Sequence, residues 1–210
     1  MFSSNRRGHF DLYKKAADGS GNEELLYESA IQKYCQGWSP DGKSLTLMTV
    51  NNANRDIWTF PLLGDRRPVP YLQTEFSEQG GEYSPDGKWI AYWSDESGTD
   101  EVYLRSARGT GGKLLVSSSG GSRPRWRRDG KEIFYLAPTN EVMAAKVRQN
   151  GSTLEIDAPA RLFKVRTESL FPSYDVSADG QRFLVMSSSV QKQPSPLTVV
   201  VNWDNGVKTQ

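Results

Sequence analysis

The chain has 210 residues, a formal net charge of +1, 36% hydrophobic residues and 24% charged residues. This balance excludes a disordered tail, and the small net charge argues against a nucleic-acid partner, because phosphate binding needs a concentrated basic face. No segment approaches the roughly 20 apolar residues that span a bilayer, so direct membrane insertion is not expected.

The first predicted unit covers residues 1–29 and is incomplete. It reads as the end of a second strand, then a third strand at Asp11–Tyr13 and a fourth at Glu24–Tyr27. Because Met1 falls within a predicted strand, we expect the chain to be a piece of a larger repeat array rather than a closed ring of few units. Open strand edges would also allow a second copy to pair, so a homo-oligomer stays open.

A six-residue turn motif, Trp38-Ser-Pro-Asp-Gly-Lys43 in its first copy, then recurs along the chain. Its glycines are Gly42, Gly87, Gly130 and Gly180, at spacings of 45, 43 and 50 residues. Proline sets φ, aspartate bonds to its own backbone and glycine takes a positive φ, so each copy predicts a tight turn. Short β-branched and aromatic runs follow the copies, namely Ser44–Val50, Trp89–Trp93, Glu132–Leu136 and Arg182–Met186.

A second register repeats with the first and predicts the outer strands. The third strands are Asp11–Tyr13, Asp56–Trp58, Glu101–Tyr103 and Glu141–Met143. The fourth strands are Glu24–Tyr27, Val69–Leu72, Lys113–Val116 and Ala160–Lys164. A period of this length is typical of four-stranded propeller blades.

The predicted fold is therefore all-β, a β-propeller of four-stranded antiparallel blades with about five blades or part-blades. The expected divisions of this single domain are 1–29 (partial), 30–75, 76–117, 118–167 and 168–210 (partial).

Particular strings resemble a known family. Ile90–Gly98, followed by Glu101–Arg105, resembles the TolB-like "PD" repeat. Gly111–Tyr135 is similar to the C-terminal propeller of membrane-anchored serine/threonine kinases of acidobacteria, and Tyr174–Val185 and Leu197–Trp203 resemble the end of that propeller. The resemblance implies an extracytoplasmic, periplasmic interaction domain within a longer chain. Kinase activity does not follow, because the kinase phosphate and catalytic loops are missing from the sequence.

Two patterns supply ligand-binding candidates. Trp38, Tyr83 and Trp126 share one position before the turn, where they either pack between blades or offer stacking surfaces to sugars or peptides. Arg123 and Arg125 alternate in the densest basic stretch, which is either an anion-binding patch or a solvated strand face.

Signals for metal binding and catalysis are weak. Asp95, Glu96 and Asp100 form an acidic loop that is a weak calcium candidate, but its spacing matches no defined calcium loop, so no metal site is predicted. His9 is the sole histidine, and no Gly-x-Ser-x-Gly elbow is present. We predict no catalytic residue and no cofactor.

The predicted function is binding or scaffolding, with a protein or peptide ligand whose identity the sequence leaves open. One alternative is a hydrolase or lyase at the channel mouth, which carboxylates converging there with Arg or Tyr would favour. The other is a glycan-binding, lectin-like propeller, which exposed tryptophans would favour. The sequence alone leaves the compartment unknown, because its start lacks the apolar core of a signal peptide.

Overall fold

The computed structural model describes residues 1–51, 54–150, 153–165 and 173–186, which form strands and turns without any helix. The all-β prediction is confirmed. The strands are β1 (Phe2–Ser4), β2 (Asp11–Lys14), β3 (Glu24–Tyr27), β4 (Gln32–Trp38), β5 (Ser44–Asn51), β6 (Asn54–Pro61), β7 (Val69–Leu72), β8 (Glu78–Tyr83), β9 (Trp89–Ser94), β10 (Glu101–Ser106), β11 (Lys113–Leu115), β12 (Ser122–Trp126), β13 (Glu132–Leu136), β14 (Glu141–Asn150), β15 (Thr153–Ile156), β16 (Ala160–Lys164), β17 (Tyr174–Val176) and β18 (Phe183–Val185).

The strands form successive antiparallel sheets in chain order. The first sheet is β1-β2-β3, the second β4-β5-β6-β7, the third β8-β9-β10-β11, the fourth β12-β13-β14-β16 and the fifth, as far as it is described, β17-β18. The strand predicted at Leu197–Trp203 lies outside the described residues. In the part of the chain described, no helix offers a long apolar stretch of the kind that crosses a membrane.

The repeated turn motif has the geometry that its residues predict. In the first copy, Asp41 Oδ1 accepts hydrogen bonds from the Ser39 hydroxyl at 2.7 Å and from the Lys43 amide at 3.0 Å. Gly42 has a φ of 68°, which a side chain would disfavour. The Ser39 hydrogen bond holds the pKa of Asp41 below its usual range. The aspartates of the motif therefore stabilise turns.

Apolar side chains fill the space between neighbouring sheets. Leu12 of the first sheet packs with Leu47 and Phe60 of the second, and Ile57 of the second packs with Tyr92 of the third. The third and fourth sheets, and the fourth and fifth, share further clusters of the same kind. Because burying one large apolar side chain contributes roughly 1.5–3 kcal/mol, each sheet depends on its neighbours, as propeller blades do.

The fourth sheet carries a hairpin that the repeat does not predict. Strand β14 runs past its pairing with β13, and its last residues, Val147–Asn150, pair with Ile156–Thr153 of β15. The hairpin projects from the blade beside the turns at Gly87 and Gly130 and forms the wall of a groove described below.

Candidate functional site

In the second to fourth sheets, the first strands (β4, β8 and β12) lie side by side. Strand β8 contacts both β4 and β12, the first strands of the sheets on either side of it. In a propeller these strands surround the central channel. One position of the first strand is Gly37 in the second sheet and then carries charges of alternating sign in the next three sheets, namely Glu82, Arg125 and Asp175.

These charges join neighbouring blades. Arg125 Nη1 donates to Glu82 Oε2 at 2.9 Å, and its Nε lies 3.9 Å from Asp175 Oδ1. The other Glu82 oxygen accepts the Trp126 amide at 3.0 Å. Burial raises the pKa of Glu82, and the Arg125 guanidinium opposes that rise. Both Glu82 oxygens therefore accept hydrogen bonds, and the ion-pair row of Glu82, Arg125 and Asp175 connects neighbouring blades.

Arg123 differs from Arg125 in its surroundings. Its guanidinium is half-buried and makes no hydrogen bond or ion pair with any residue that the structure describes. Burial and the nearby Arg125 charge lower the pKa of Arg123. An unpaired cation in this position can bind an anion, and a guanidinium matches the two oxygens of a carboxylate.

The backbone at Arg123 is strained. Its φ is 56°, in the left-handed region, and the equivalent residue of the preceding blade is Gly80, with a φ of 73°. Both lie within irregularities of β-pairing, which bend the first strand. Such a conformation costs about 1–3 kcal/mol for a residue with a side chain, and strain of this kind is concentrated at functional sites. The buried Tyr174 hydroxyl donates to the Arg123 carbonyl at 2.9 Å and helps to hold the bend.

The three aromatic candidates do not share one environment. Trp38 is 50% exposed, Tyr83 is half-buried and Trp126 is only 7% exposed. Trp126 packs between the third and fourth sheets, and its buried indole N–H has no acceptor within the described residues. A stacking role for these residues stays a prediction, with Trp38 as the accessible member.

A groove of about 700 Å³ lies between the turns of the third and fourth blades and the β14–β15 hairpin. Trp89 and Trp126 line it together with Val147 and Leu154, and charged side chains stand at its edge. A second groove of about 730 Å³ adjoins the first and shares Trp89, Gln149 and Leu154 with it. An open groove with apolar walls and a polar edge suits an extended chain segment better than an enclosed small molecule.

The acidic loop does not assemble as a cluster. Asp95 and Asp100 are exposed, while Glu96 forms an ion pair with Lys113. Asp95 Oδ1 accepts the Ser77 amide at 2.9 Å, which gives it a structural partner. Among the described residues, no three His, Cys, Asp or Glu side chains lie together as metal ligands. The weak calcium candidate in this loop stays a prediction.

Sequence reasoning missed Glu82, Asp175 and Tyr174, and it missed the β14–β15 hairpin. Aligning the first strands of the four repeats would have placed the two acids beside Arg125, since all three hold the same position. The Asn150-Gly151 pair, a frequent hairpin turn, would have indicated the extra strand.

Comparisons with known proteins agree with this fold. No family model matches the chain. The Tol-Pal system protein TolB of Anaeromyxobacter dehalogenans (strain 2CP-C) is 31% identical over 113 residues, which is 53% of this chain and 25% of that protein. The chain thus matches about a quarter of that relative's length.

Solved structures show the same fold. TolB from Acinetobacter baumannii aligns with a TM-score of 0.63 and 21% identity over 90% of this chain and 45% of that one. An oligogalacturonate lyase in complex with manganese aligns with a TM-score of 0.56 and 15% identity over 82% of this chain and 52% of that one. The four-stranded antiparallel sheets, their packing and these likenesses together assign the fold: the chain is built from blades of a β-propeller, similar to that of TolB.

Proposed function

We propose that these blades form a binding module for a protein or peptide, and that Arg123 holds a carboxylate of the ligand. The observation that carries the proposal is the guanidinium of Arg123, which has no partner among the described residues and is kept in a strained backbone position where the preceding blade has glycine. Arg125 adds positive charge nearby, although Glu82 and Asp175 partly neutralise it.

The groove beside the β14–β15 hairpin supports the same function. Its apolar walls, formed by residues such as Trp89 and Leu154, would receive side chains of an extended segment. The buried Trp126 indole N–H would gain an acceptor if a ligand carbonyl reached it. Propeller loops and grooves of this type present binding residues on a rigid scaffold.

The test uses peptides selected on the 210-residue chain from a random displayed library and then measured by fluorescence anisotropy. Arg123→Gly restores the residue type of the equivalent Gly80, so it should fold at least as well as the wild type. We expect it to weaken binding of carboxylate-bearing peptides at least tenfold, since a charge-assisted contact contributes about 1.5–3 kcal/mol.

Arg128→Ala is the matched control, because Arg128 belongs to the same basic stretch but is exposed. It should leave the affinity within about twofold. Failure to select any peptide, or equal affinity for wild type and Arg123→Gly, would refute the assignment. Oligosaccharides titrated in parallel test the lectin alternative, for which the exposed Trp38 supplies the stacking surface.

An enzyme is the second candidate, and one observation favours it. Glu82, Arg125 and Tyr174 converge on the axial side of the blades, which is the arrangement expected of a hydrolase or lyase. Oligogalacturonate with Mn²⁺ is the first substrate to assay, by ultraviolet absorbance of an unsaturated product. Turnover that Glu82→Gln abolishes would replace the binding assignment with a lyase.

We also propose that the module works outside the cytoplasm as part of a longer chain. The resemblance of Gly111–Tyr135 to kinase-fused propellers supports this location. The expected protein partner would then be exported or surface-bound.

A further inference from the structure

The junction between the first two sheets contains a buried cation. The Lys33 ammonium is 2.7 Å from Asp11 Oδ1, 3.1 Å from the Ser29 carbonyl and 3.2 Å from the Phe10 carbonyl. Lys33 is 1% exposed, and its ammonium also lies 5.5 Å from the centre of the Tyr27 ring. A carboxylate at the start of the third strand is thus neutralised by a cation supplied by the next blade.

At the junction between the third and fourth sheets, the equivalent carboxylate is stabilised without a cation. Its acid is Glu101, which accepts hydrogen bonds from the Ser117 hydroxyl and, at 2.8 Å, from the Gly120 amide. The residue equivalent to Lys33 here is Gly121. Hydrogen-bond donors therefore satisfy both carboxylate oxygens.

At the junction between the second and third sheets, the described residues supply neither a cation nor hydrogen-bond donors to both oxygens of the carboxylate. Its acid is Asp56, and the residue equivalent to Lys33 is a second acid, Glu78. The two residues are 5% and 3% exposed. Asp56 Oδ1, which corresponds to the Asp11 oxygen that binds the ammonium, has no donor within the described residues, and neither has Glu78 Oε2.

The remaining contacts of these acids are few. Gln73 Nε2 lies 3.4 Å from Asp56 Oδ2, and the Thr74 hydroxyl donates to Glu78 Oε1. Burial raises the pKa of both acids, and the Asp56 charge raises that of Glu78 further, as does Glu96. Two buried carboxylates in one site repel each other, and each has one oxygen that accepts no hydrogen bond from the described residues.

We propose that this junction binds a calcium ion, with Asp56 and Glu78 as its charged ligands and the carbonyls of Arg55 and Thr74 as the counterparts of those that bind the Lys33 ammonium. A dication would neutralise both carboxylates, as Lys33 neutralises the single carboxylate of the preceding junction. Carboxylate and carbonyl oxygens are the ligands that Ca²⁺ prefers, and Ca²⁺ accepts irregular geometry. Mg²⁺ retains several waters, which suits so buried a pair poorly.

Gln73 and Thr74, which contact the two acids, are exposed, so the site lies close to solvent. The Thr74 carbonyl also accepts a hydrogen bond from the Asn54 side-chain amide at 3.0 Å, which leaves its second lone pair for a cation. The proposed ligands do not include the acidic-loop residues Asp95 and Asp100, although Glu96 of that loop lies close enough to act on Glu78, and the site is distinct from the arginine site in β12. Its failure would therefore leave the proposed binding function intact.

The test is urea unfolding of the 210-residue chain in Ca²⁺ and in chelator at equal ionic strength. For one site that exists only in the folded state, each tenfold rise in free Ca²⁺ above the dissociation constant raises the folding equilibrium constant tenfold. We expect this response for the wild type. An identical unfolding curve in Ca²⁺ and in chelator would overturn the proposal.

Glu78→Lys rebuilds the cage of the preceding junction. We expect it to be more stable than the wild type in chelator and to lose the Ca²⁺ response. Glu78→Gln also removes a ligand charge but supplies no cation, so it should lose the response even if the lysine variant folds poorly. Asp100→Asn, in the acidic loop, should keep the full response. A tenfold response that survives both substitutions of Glu78 would place the calcium elsewhere and refute the assignment.

Discussion

Replacing Lys33 by methionine should destabilise the junction of the first and second sheets by about 3–5 kcal/mol, because it leaves a buried carboxylate without its counter-ion. The Lys33 ammonium and Asp11 Oδ1 are 2.7 Å apart, and the two side chains are 2% and 1% exposed. Methionine keeps the apolar stem that lysine buries there, so the loss comes from the charge and its hydrogen bonds rather than from a cavity.

Amide hydrogen exchange measures this loss where it occurs. Blades open as local units, so the effect should be concentrated in β2 and β3, which Lys33 ties to the second sheet. A loss of about 3–5 kcal/mol accelerates exchange by roughly two to three and a half orders of magnitude, since each 1.4 kcal/mol is a factor of ten. Amides of β9, in the third sheet, serve as the internal reference.

Lys43→Met is the control, because the Lys43 side chain is 65% exposed and its ion pair with Asp41 spans 3.9 Å. It should change stability by less than about 0.5 kcal/mol. Adding Asp11→Asn to Lys33→Met removes the stranded charge and should recover part of the loss. Exchange in β2 within threefold of the wild type after Lys33→Met would show that the buried pair does not hold the junction.

Three further outcomes follow from the packing. Gly80→Ala should lower the free energy of unfolding in urea by more than about 2 kcal/mol, because the φ of Gly80 is 73° and a Cβ there would lie 1.7 Å from the Trp93 ring. Gly112 has open space around it, so the control variant Gly112→Ala should lower it by less than about 0.5 kcal/mol. Tyr174→Phe loses a 2.9 Å hydrogen bond to the bulge carbonyl of β12 and should cost about 0.5–1.5 kcal/mol. Burial raises the pKa of Tyr135 to about 12, whereas that of an unfolded tyrosine is about 10. The contribution of Tyr135 to the free energy of unfolding is therefore complete below pH about 10, and it falls by about 1.4 kcal/mol per pH unit from there to pH about 12. Tyr135→Phe should flatten that part of the stability curve, and an unchanged slope would refute it.

The sequence predicted the fold well because its strongest signals are local. The turn at Asp41 and Gly42 depends on hydrogen bonds within six residues and on one backbone angle, so the residue types alone specify it. The continuous apolar runs that follow the turns, such as Trp89–Trp93, then indicate which strands are buried on both faces. Neither signal needs knowledge of another blade.

The candidate site was harder to predict because its contacts join residues that are 43 to 51 positions apart, such as Glu82 with Arg125 and Tyr174 with Arg123. Simple alternation would give Arg123 and Arg125 one shared face of β12. The irregular pairing between Ser122 and Arg125 interrupts that alternation. Arg125 therefore pairs with Glu82, while Arg123 pairs with no residue in the part of the chain that the structure describes. A bulge of this kind has no clear signal in a segment that contains no glycine.

Arg123 and Glu78 share one property: each is a residue that costs stability at its position. Arg123 adopts a positive φ where the preceding blade has Gly80, and Glu78 lies beside a buried carboxylate where the second sheet has Lys33. Local rules are broken in this way mainly where function compensates for the loss. If both residues serve ligands, then Arg123→Gly and Glu78→Lys should each raise the stability of the ligand-free chain while each removes one binding activity. A gain in stability without any loss of binding would show instead that the repeats have merely diverged.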